Sequence, residues 1–454
     1  MVVAAGSPAQ ARRFVMAAAV AATVVLAYLP VLGHGLVFDD LSLIGAEGPV
    51  ALGNGAIPYR PLRFASLWLD HLLFGGADWG YHLTNILLHA TLAVVVHRLA
   101  LGLGISVLGS ALAALLFGLH PLAVESAAYV SGRRDLLAAL FGTAGLLAWI
   151  GRPSRDRLAV ILLLAAVAAK ESGLISALVL ALASFMGPPA RRRSIVSVLV
   201  PAGAAGLCLA LAYGARGPVL ALGADDWLST SGRLGLHYLS GLAGLRPLAA
   251  DYPALHLSLV SGTGLLAGLA LTVLAAAGLL SVAWHRRFGA VGFVSIWCLV
   301  ELLILCGLVG MHEPGADRHA YRLLLPVSLG LVLVLERSGG LRRLGTVVLV
   351  LFVGLMTART VERIPVWHDG LSLWSATVVV EPGSARAHYN LAVMLAEAGS
   401  MGHAREHLRA ALRTAPEYEP ARLGLARMAC LSGHPRRALR LAGRPICPQV
   451  EPGG

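Results

Sequence analysis

Long apolar runs recur along this chain at approximately 14–33, 83–100, 106–124, 134–150, 157–169, 173–187, 195–213, 259–284, 288–310, 320–336 and 341–358. A helix needs roughly 20 apolar residues to cross the ~30 Å hydrocarbon core of a bilayer. Inside that core a segment must satisfy its own backbone hydrogen bonds. About eleven such runs therefore dictate an all-α, polytopic membrane protein. Only 13% of residues are charged, against ~25% in soluble domains. The net charge of +12 would point to nucleic acid in a soluble chain, but here the arginines cluster between apolar runs. The charge reads as topology, and no nucleic-acid partner is expected.

The basic clusters set the orientation. Arg12 and Arg13, Arg98, "GRPSRDR" (151–157), "RRR" (191–193), "HRR" (285–287) and "ERSGGLRR" (336–343) fall on one side when the crossings alternate, and the positive-inside rule makes that side the cytoplasm. The alternative, a signal peptide with 14–32 as its apolar region, lacks a small-x-small cleavage site before Asp39. The segments at 34–82, 120–135, 170–172, 214–258 and 311–322, and everything after 360, are then expected outside. Nearly all acids and polar motifs lie in these segments, so any chemistry belongs to the non-cytoplasmic face.

The C-terminal part follows a different period. In "SARAHYNLAVMLAEAGSMGHAREHLRAALRTAPEY", Leu391, Ala392, Gly399, Ala404 and Ala411 stand at the small and apolar positions of a tetratricopeptide repeat. A shift of 34 residues brings Leu425, Ala426, Gly433 and Ala438 into register, the period of paired antiparallel helices. Trp374 and Pro382 mark a preceding half-unit. The expected organisation is a membrane domain over 1–360, its first external loop at 34–82; about two and a half repeats over 361–446, non-cytoplasmic; and a tail at 447–454.

Several chemistries are excluded. Lys170, the only lysine, follows Ala169, so there is no Walker A loop. HExxH, GxGxxG after a strand and GxSxG are absent. The five cysteines show no CxxC pair and no zinc spacing. Cys430 and Cys447 can pair only in an oxidising compartment, the less favoured reading here. Without a nucleotide fold, a sugar donor would be lipid-borne.

"FDD" after the first run resembles the transmembrane and tetratricopeptide-repeat O-mannosyltransferases and their bacterial relatives. So, in order along nearly the whole chain, do "YRPLRFASLWLDHLLFGGADWGYHLTNILLHA" (59–90), "HPLAVESAAYVSGRRDLLAALF" (120–141), "KESGLISALVL" (170–180), "HYLSGLAGLRPLAADYP" (237–253), "ADRHAYRLLLPVSLG" (316–330) and "WHDGLSLWSATVVVEP" (367–382). The resemblance implies a multi-span glycosyltransferase of the GT-C type. Such an enzyme takes a sugar, mannose in characterised members, from a polyprenyl or dolichyl phosphate and passes it to protein Ser/Thr hydroxyls. It implies no cofactor and no metal, and an acceptor polypeptide held by the repeats. His319-Ala320 replaces an aromatic pair usual in the family. The arginine bias and short repeat array point to a bacterial cytoplasmic membrane with periplasmic repeats; in a eukaryote the repeats would face the endoplasmic reticulum lumen.

The chemistry needs a general base for the acceptor hydroxyl and cations for the departing phosphate. Asp39 and Asp40 are the catalytic candidates, with Asp39 favoured as base and Glu125 next; the alternative is N-capping of "LSLIGA". Arg318 and Arg322, four apart, are candidates for the phosphate, or else snorkel at the interface. Arg133 and Arg134 beside Asp135 are either substrate contacts or an interfacial ion pair, and Lys170-Glu171 is either a substrate contact or one polar turn between two spans. His120 and Glu125, flanking Pro121, line an acceptor groove or cap a helix. Asn85 and His89 contact substrate or pack between helices. Arg60 and Arg63 lie on an amphipathic run over 60–74 read as an interfacial helix. A transporter, or a scaffold displaying the repeats, are the rival readings. The first lacks mid-span acids and evident inverted repeats; the second leaves the outer acids unexplained.

Overall fold

The computed structural model describes residues 7–45, 47–50, 60–151, 155–186, 224–255, 289–308, 315–445 and 447. Among them the chain is nearly all helix, with one small antiparallel ribbon pairing Ile44 with Pro49 and Gly45 with Gly48. It divides into two compact units, Met1–Arg246 with Ser258–His368, and Pro247–Leu257 with Asp369–Gly454.

In the first unit, four described helices are long and apolar enough to cross a membrane: Pro8–Gly33, Asp78–Gly102, Asp317–Arg337 and Gly339–Trp367. Val107–Gly118 and Pro121–Ala128, bent by 53° at His120-Pro121, make a fifth if taken as one broken span. Eleven are not reached among the described residues. The expected spans at 195–213 and 259–284 lie outside them. The one at 157–169 is the 14-residue helix Asp156–Ala169, which reaches only about 21 Å. The one at 173–187 is also a shorter helix, Leu174–Met186.

These helices are patterned inside-out relative to a soluble protein. Asp78–Gly102 buries His82, Asn85, His89 and His97 while Leu87 is exposed. Pro61–Phe74 buries Arg63, Leu67 and Asp70, one stripe at i, i+4 and i+7, and exposes Leu69, Leu72 and Leu73. Lipid takes the apolar face and the polar stripe turns inward, where partners are available. The run over 60–74 is thus amphipathic as expected, but Arg63 faces the protein. Gly132 opens the helix Arg133–Ile150: a Cβ there would sit 2.4 Å from the Ser126 carbonyl oxygen. Only glycine lets the chain turn this tightly between "VES" and "GRRD".

The second unit is built from Gly370–Val380, Ala385–Glu397, Met401–Thr414, Glu419–Leu431 and Pro435–Ala442. Its core is made of small residues, Ala385, Ala392, Ala404, Ala411 and Ala421 around Leu408, then Ala426, Ala429 and Ala438. Gly399 and Gly433 each end a helix at positive φ, 78° and 75°. Each is followed by a residue whose N–H bonds back to a carbonyl five positions earlier, Ser400 to Leu395 and His434 to Ala429. The same turn therefore recurs at the spacing seen in the sequence. Asp251 anchors the 247–257 segment to this unit, accepting from the Ser384 hydroxyl at 2.6 Å and pairing with Arg386 at 3.4 Å. Cys430 and Cys447 form a disulfide with Cα atoms 5.4 Å apart, the pairing that the sequence reading had disfavoured.

Candidate active site

The "FDD" loop is bent at its first residue. Phe38 has φ 53°, in the left-handed region that bulky side chains avoid. The turn sends the two carboxylates in different directions. Asp40 is fully buried, and its Oδ1 accepts the Ser131 N–H at 2.6 Å while Oδ2 accepts those of Val130 at 3.2 Å and Val37 at 3.4 Å. Burial pushes its carboxyl up to about 8 against those three donors. Asp40 therefore ties the loop after the first span to the 129–131 segment.

Asp39 is half-buried, and its carboxylate makes no hydrogen bond or ion pair among the described residues. Although it stands at the N-cap position of the short helix Asp40–Leu43, its side chain does not cap it. Its backbone N–H donates to the Tyr129 hydroxyl at 3.2 Å. Phe38 stacks on Tyr129, and Tyr129 packs on Trp367, with centroids 6.2 and 5.4 Å apart. Burial, then Asp40 and Asp39, push the Tyr129 hydroxyl well above its ordinary range, so it stays neutral. The result is one fixed carboxylate and one available carboxylate on adjacent residues.

The helix that begins at Arg133 separates its charges similarly. Arg133 is buried and clamps two helices to its own: it pairs with Asp70 at 2.6 Å and donates to Asn85 Oδ1 at 2.5 Å, the Tyr81 carbonyl at 2.7 Å and the Ser66 carbonyl at 3.4 Å. Asn85 completes the clamp by donating to the Tyr129 carbonyl at 3.0 Å. Asp135 is taken by Lys170 at 2.5 Å, and Glu171 by Arg60 at 2.6 Å. Among the described residues Arg134 keeps only a 3.6 Å contact with Asp135, and its Nε has no hydrogen-bond partner. Arg63 is 3% exposed, its Nε is likewise unpartnered, and it makes no ion pair among the described residues.

A second group of charges is paired with carboxylates, with Arg318 Nε and Arg322 Nη1 lacking a hydrogen-bond partner among the described residues. Arg318 donates to Glu125 twice, through Nη1 at 2.6 Å and its backbone N–H at 2.9 Å. Arg322 is held by Glu301 at 3.1 Å and the Ser176 hydroxyl at 3.0 Å, and Arg246 by Asp317 at 2.5 Å. Neither Arg318 nor Arg322 snorkels; both are buried. Between the groups, His89 must donate from Nε2 to the Gly118 carbonyl at 2.9 Å, so its Nδ1 accepts from the Tyr321 hydroxyl at 2.8 Å. His120 uses both nitrogens too, accepting from Leu122 N–H at 3.2 Å and donating to the Leu242 carbonyl at 3.0 Å. His319 has Lys170, Arg318, Asp135 and Arg134 as charged neighbours. Among the described residues no three His, Cys, Asp or Glu side chains are grouped to hold a metal ion.

Compared with known proteins, the chain is 22% identical over 431 residues to Protein O-mannosyl-transferase F38B6.6 of Caenorhabditis elegans, covering 87% of this chain and 62% of that protein. It is 37% identical over 134 residues to Protein O-mannosyl-transferase Tmtc2 of Drosophila melanogaster, 24% of this chain and 14% of that one. The chain is similar to animal protein O-mannosyl-transferases. The human Protein O-mannosyl-transferase TMTC2 is 39% identical over 95 residues, 20% of this chain and 11% of its own. The chain thus spans less than two thirds of the length of these relatives. No protein-family model matches it, and no solved structure matches it.

Measured against what the motifs promised, the structure joins Asp39, Asp40, Asn85, Arg133, Arg134, Lys170 and Glu171 through the 129–135 segment and its neighbours. It sets Glu125, Arg318 and Arg322 in a separate paired group and gives His89 and His120 packing roles. The residue the structure adds to the site is Arg63, which the sequence placed on an interfacial helix. Its signal was present: an arginine at 63 on the same helical stripe as Leu67 and Asp70.

Proposed function

We propose that the chain is a membrane glycosyltransferase that passes a sugar, mannose by analogy with its relatives, from a polyprenyl or dolichyl phosphate to Ser/Thr hydroxyls of a polypeptide. The observation that carries the reading is Asp39: a carboxylate without a partner among the described residues, on a strained, anchored loop, beside described segments with more cations than acids. In this mechanism an acceptor hydroxyl approaches Asp39, which takes its proton as the oxygen attacks the anomeric carbon. The bond from that carbon to the carrier phosphate breaks, and the electron pair leaves on the phosphate oxygen. Asp40 holds the loop, Tyr129 fixes the Asp39 backbone, and the 133–135 segment holds the charges around them.

The recurring helix-ending turns and alanine core of the second unit support tetratricopeptide repeats that present the acceptor. The Cys430–Cys447 disulfide supports their placement in an oxidising compartment, the periplasm or the lumen of the endoplasmic reticulum. Membranes containing the chain, supplied with radiolabelled polyprenyl-phosphate mannose, should label protein, and Asp39→Asn should abolish the label while inserting normally. No label above that of empty membranes, with any polyprenyl-phosphate hexose, would remove the reading.

A further inference from the structure

The cations around the "GRRD" segment do not balance. Arg60 is matched by Glu171 and Lys170 by Asp135, at 2.6 and 2.5 Å. Two positive charges are left: Arg63, with no carboxylate partner among the described residues, and Arg134, whose one acidic contact at 3.6 Å is to an Asp135 already held by lysine. The nine residues before Arg60, "ALGNGAIPY", contain no acid. A buried guanidinium without a paired carboxylate is costly, and among the described residues no carboxylate pairs with Arg63. Arg63 is 97% buried (3% exposed) with an unpartnered Nε. Burial, then Arg134 and Arg60, lower it only to about 10, so it is charged at neutral pH. Arg134, like Asp39, is a charged neighbour of Tyr129, which sets the surplus cations and the free carboxylate around one ring.

We propose that Arg63 and Arg134 form a phosphate subsite matched in charge to a phosphate monoester dianion rather than to a singly charged phosphodiester. The assignment rests on the glycosyltransferase reading and deepens it. A sugar phosphodiester enters with one negative charge. When its bond to the sugar breaks, the electron pair stays on the phosphate and the carrier leaves as a monoester of nearly two charges. A site offering two cations binds the second form better, so its stabilisation grows along the reaction and is greatest once the bond is broken. Guanidinium forks suit the three equivalent oxygens that result. The same match makes the product a strong inhibitor until it leaves.

The test uses the full chain in lipid nanodiscs with three probes: a polyprenyl phosphate, its methyl phosphodiester, and inorganic phosphate. Unchanged protein should bind the monoester at least about tenfold more tightly than the diester, and Arg63→Gln should remove most of that preference. In transfer assays Arg63→Gln should lower kcat well beyond any rise in KM, with Arg63→Lys intermediate. Without ligand, Arg63→Gln should melt no lower than the unchanged chain, because it removes an unpaired charge; a marked loss of stability would mean that Arg63 serves the fold. Equal binding of both lipids, or a preference indifferent to Arg63, overturns the subsite. Inorganic phosphate that competes as well as the lipid monoester overturns the lipid headgroup assignment. Transfer that survives both Arg63→Gln and Arg134→Gln sinks the subsite alone. Arg63-dependent monoester binding without any transfer sinks the enzymatic reading alone.

Discussion

Two arginine-rich groups in the first unit look alike in the sequence and differ in the fold. In one, Arg246, Arg318 and Arg322 each meet a carboxylate, Asp317, Glu125 and Glu301, at 2.5 to 3.1 Å. In the other, Arg60, Arg133 and Lys170 are paired, whereas among the described residues Arg63 has no carboxylate partner and Arg134 has only a 3.6 Å contact to an Asp135 already held by Lys170. Closed pairs hold helices together in a medium where an isolated charge is expensive. Surplus charge has no structural use and marks the place where a ligand completes the balance. The two adjacent acids repeat the contrast: Asp40 is bound by three backbone N–H groups, and Asp39 by none.

The sharpest way to break this contrast is at the acids. Asp39→Asn should leave insertion and folding intact yet reduce transfer by at least about a hundredfold, since a positioned base contributes about 10²–10⁴ in rate. Near-normal transfer in this variant would show that the free carboxylate is not the base. Of comparable size, but on stability, is Glu125→Ala. It strands Arg318 in the closed group and should cost about 3–5 kcal/mol, read as a fall in denaturation midpoint. A stable but inactive Glu125→Ala protein would instead put the closed group in the reaction.

Asp40→Asn should have a smaller effect, about 1–3 kcal/mol, because an amide cannot accept from all three N–H groups and leaves at least one unsatisfied. Amide exchange at Val130 and Ser131 reads this locally. The pH dependence follows the raised carboxyl. Asp40 binds its proton more tightly in the fold than in the unfolded chain, so its contribution is complete below about 4 and declines as pH rises toward about 8. Intrinsic-rate-corrected protection at those two amides should fall over that window in the unchanged protein and stay flat in Asp40→Asn. Protection that rises with pH would mean the N–H donors outweigh burial.

The smallest effect is expected in the second unit. His388 donates from Nε2 to the Pro382 carbonyl at 3.1 Å, so its Nδ1 accepts from His407 Nδ1–H at 2.9 Å. A second proton has nowhere to sit between the rings. Burial, then His388, lower His407, so its contribution is present above about 6.5 and lost on acidification below it. Melting followed by circular dichroism should show the acid loss, and His407→Gln should blunt it.

The chain's apolar runs, basic clusters, 34-residue period and the "FDD", "GRRD" and "KES" motifs were legible because each depends on local spacing or composition. They gave the helical class, the membrane setting and the segments that assemble around Asp39. Span lengths were less legible, since a short apolar helix such as Asp156–Ala169 reads like a crossing until its ends are placed. Which charges cancel was not legible at all. Arg318 pairs with a residue 193 positions away and Arg60 with one 111 positions away, and no periodicity records such a distance. Sequence by itself determined where charge is carried and which helical stripe bears it. Only the tertiary structure decided that Arg318 and Arg322 each have a carboxylate while, among the described residues, Arg63 has none and Arg134 shares Asp135 with Lys170, because the cost of a buried charge depends on what the fold brings within about 4 Å of it.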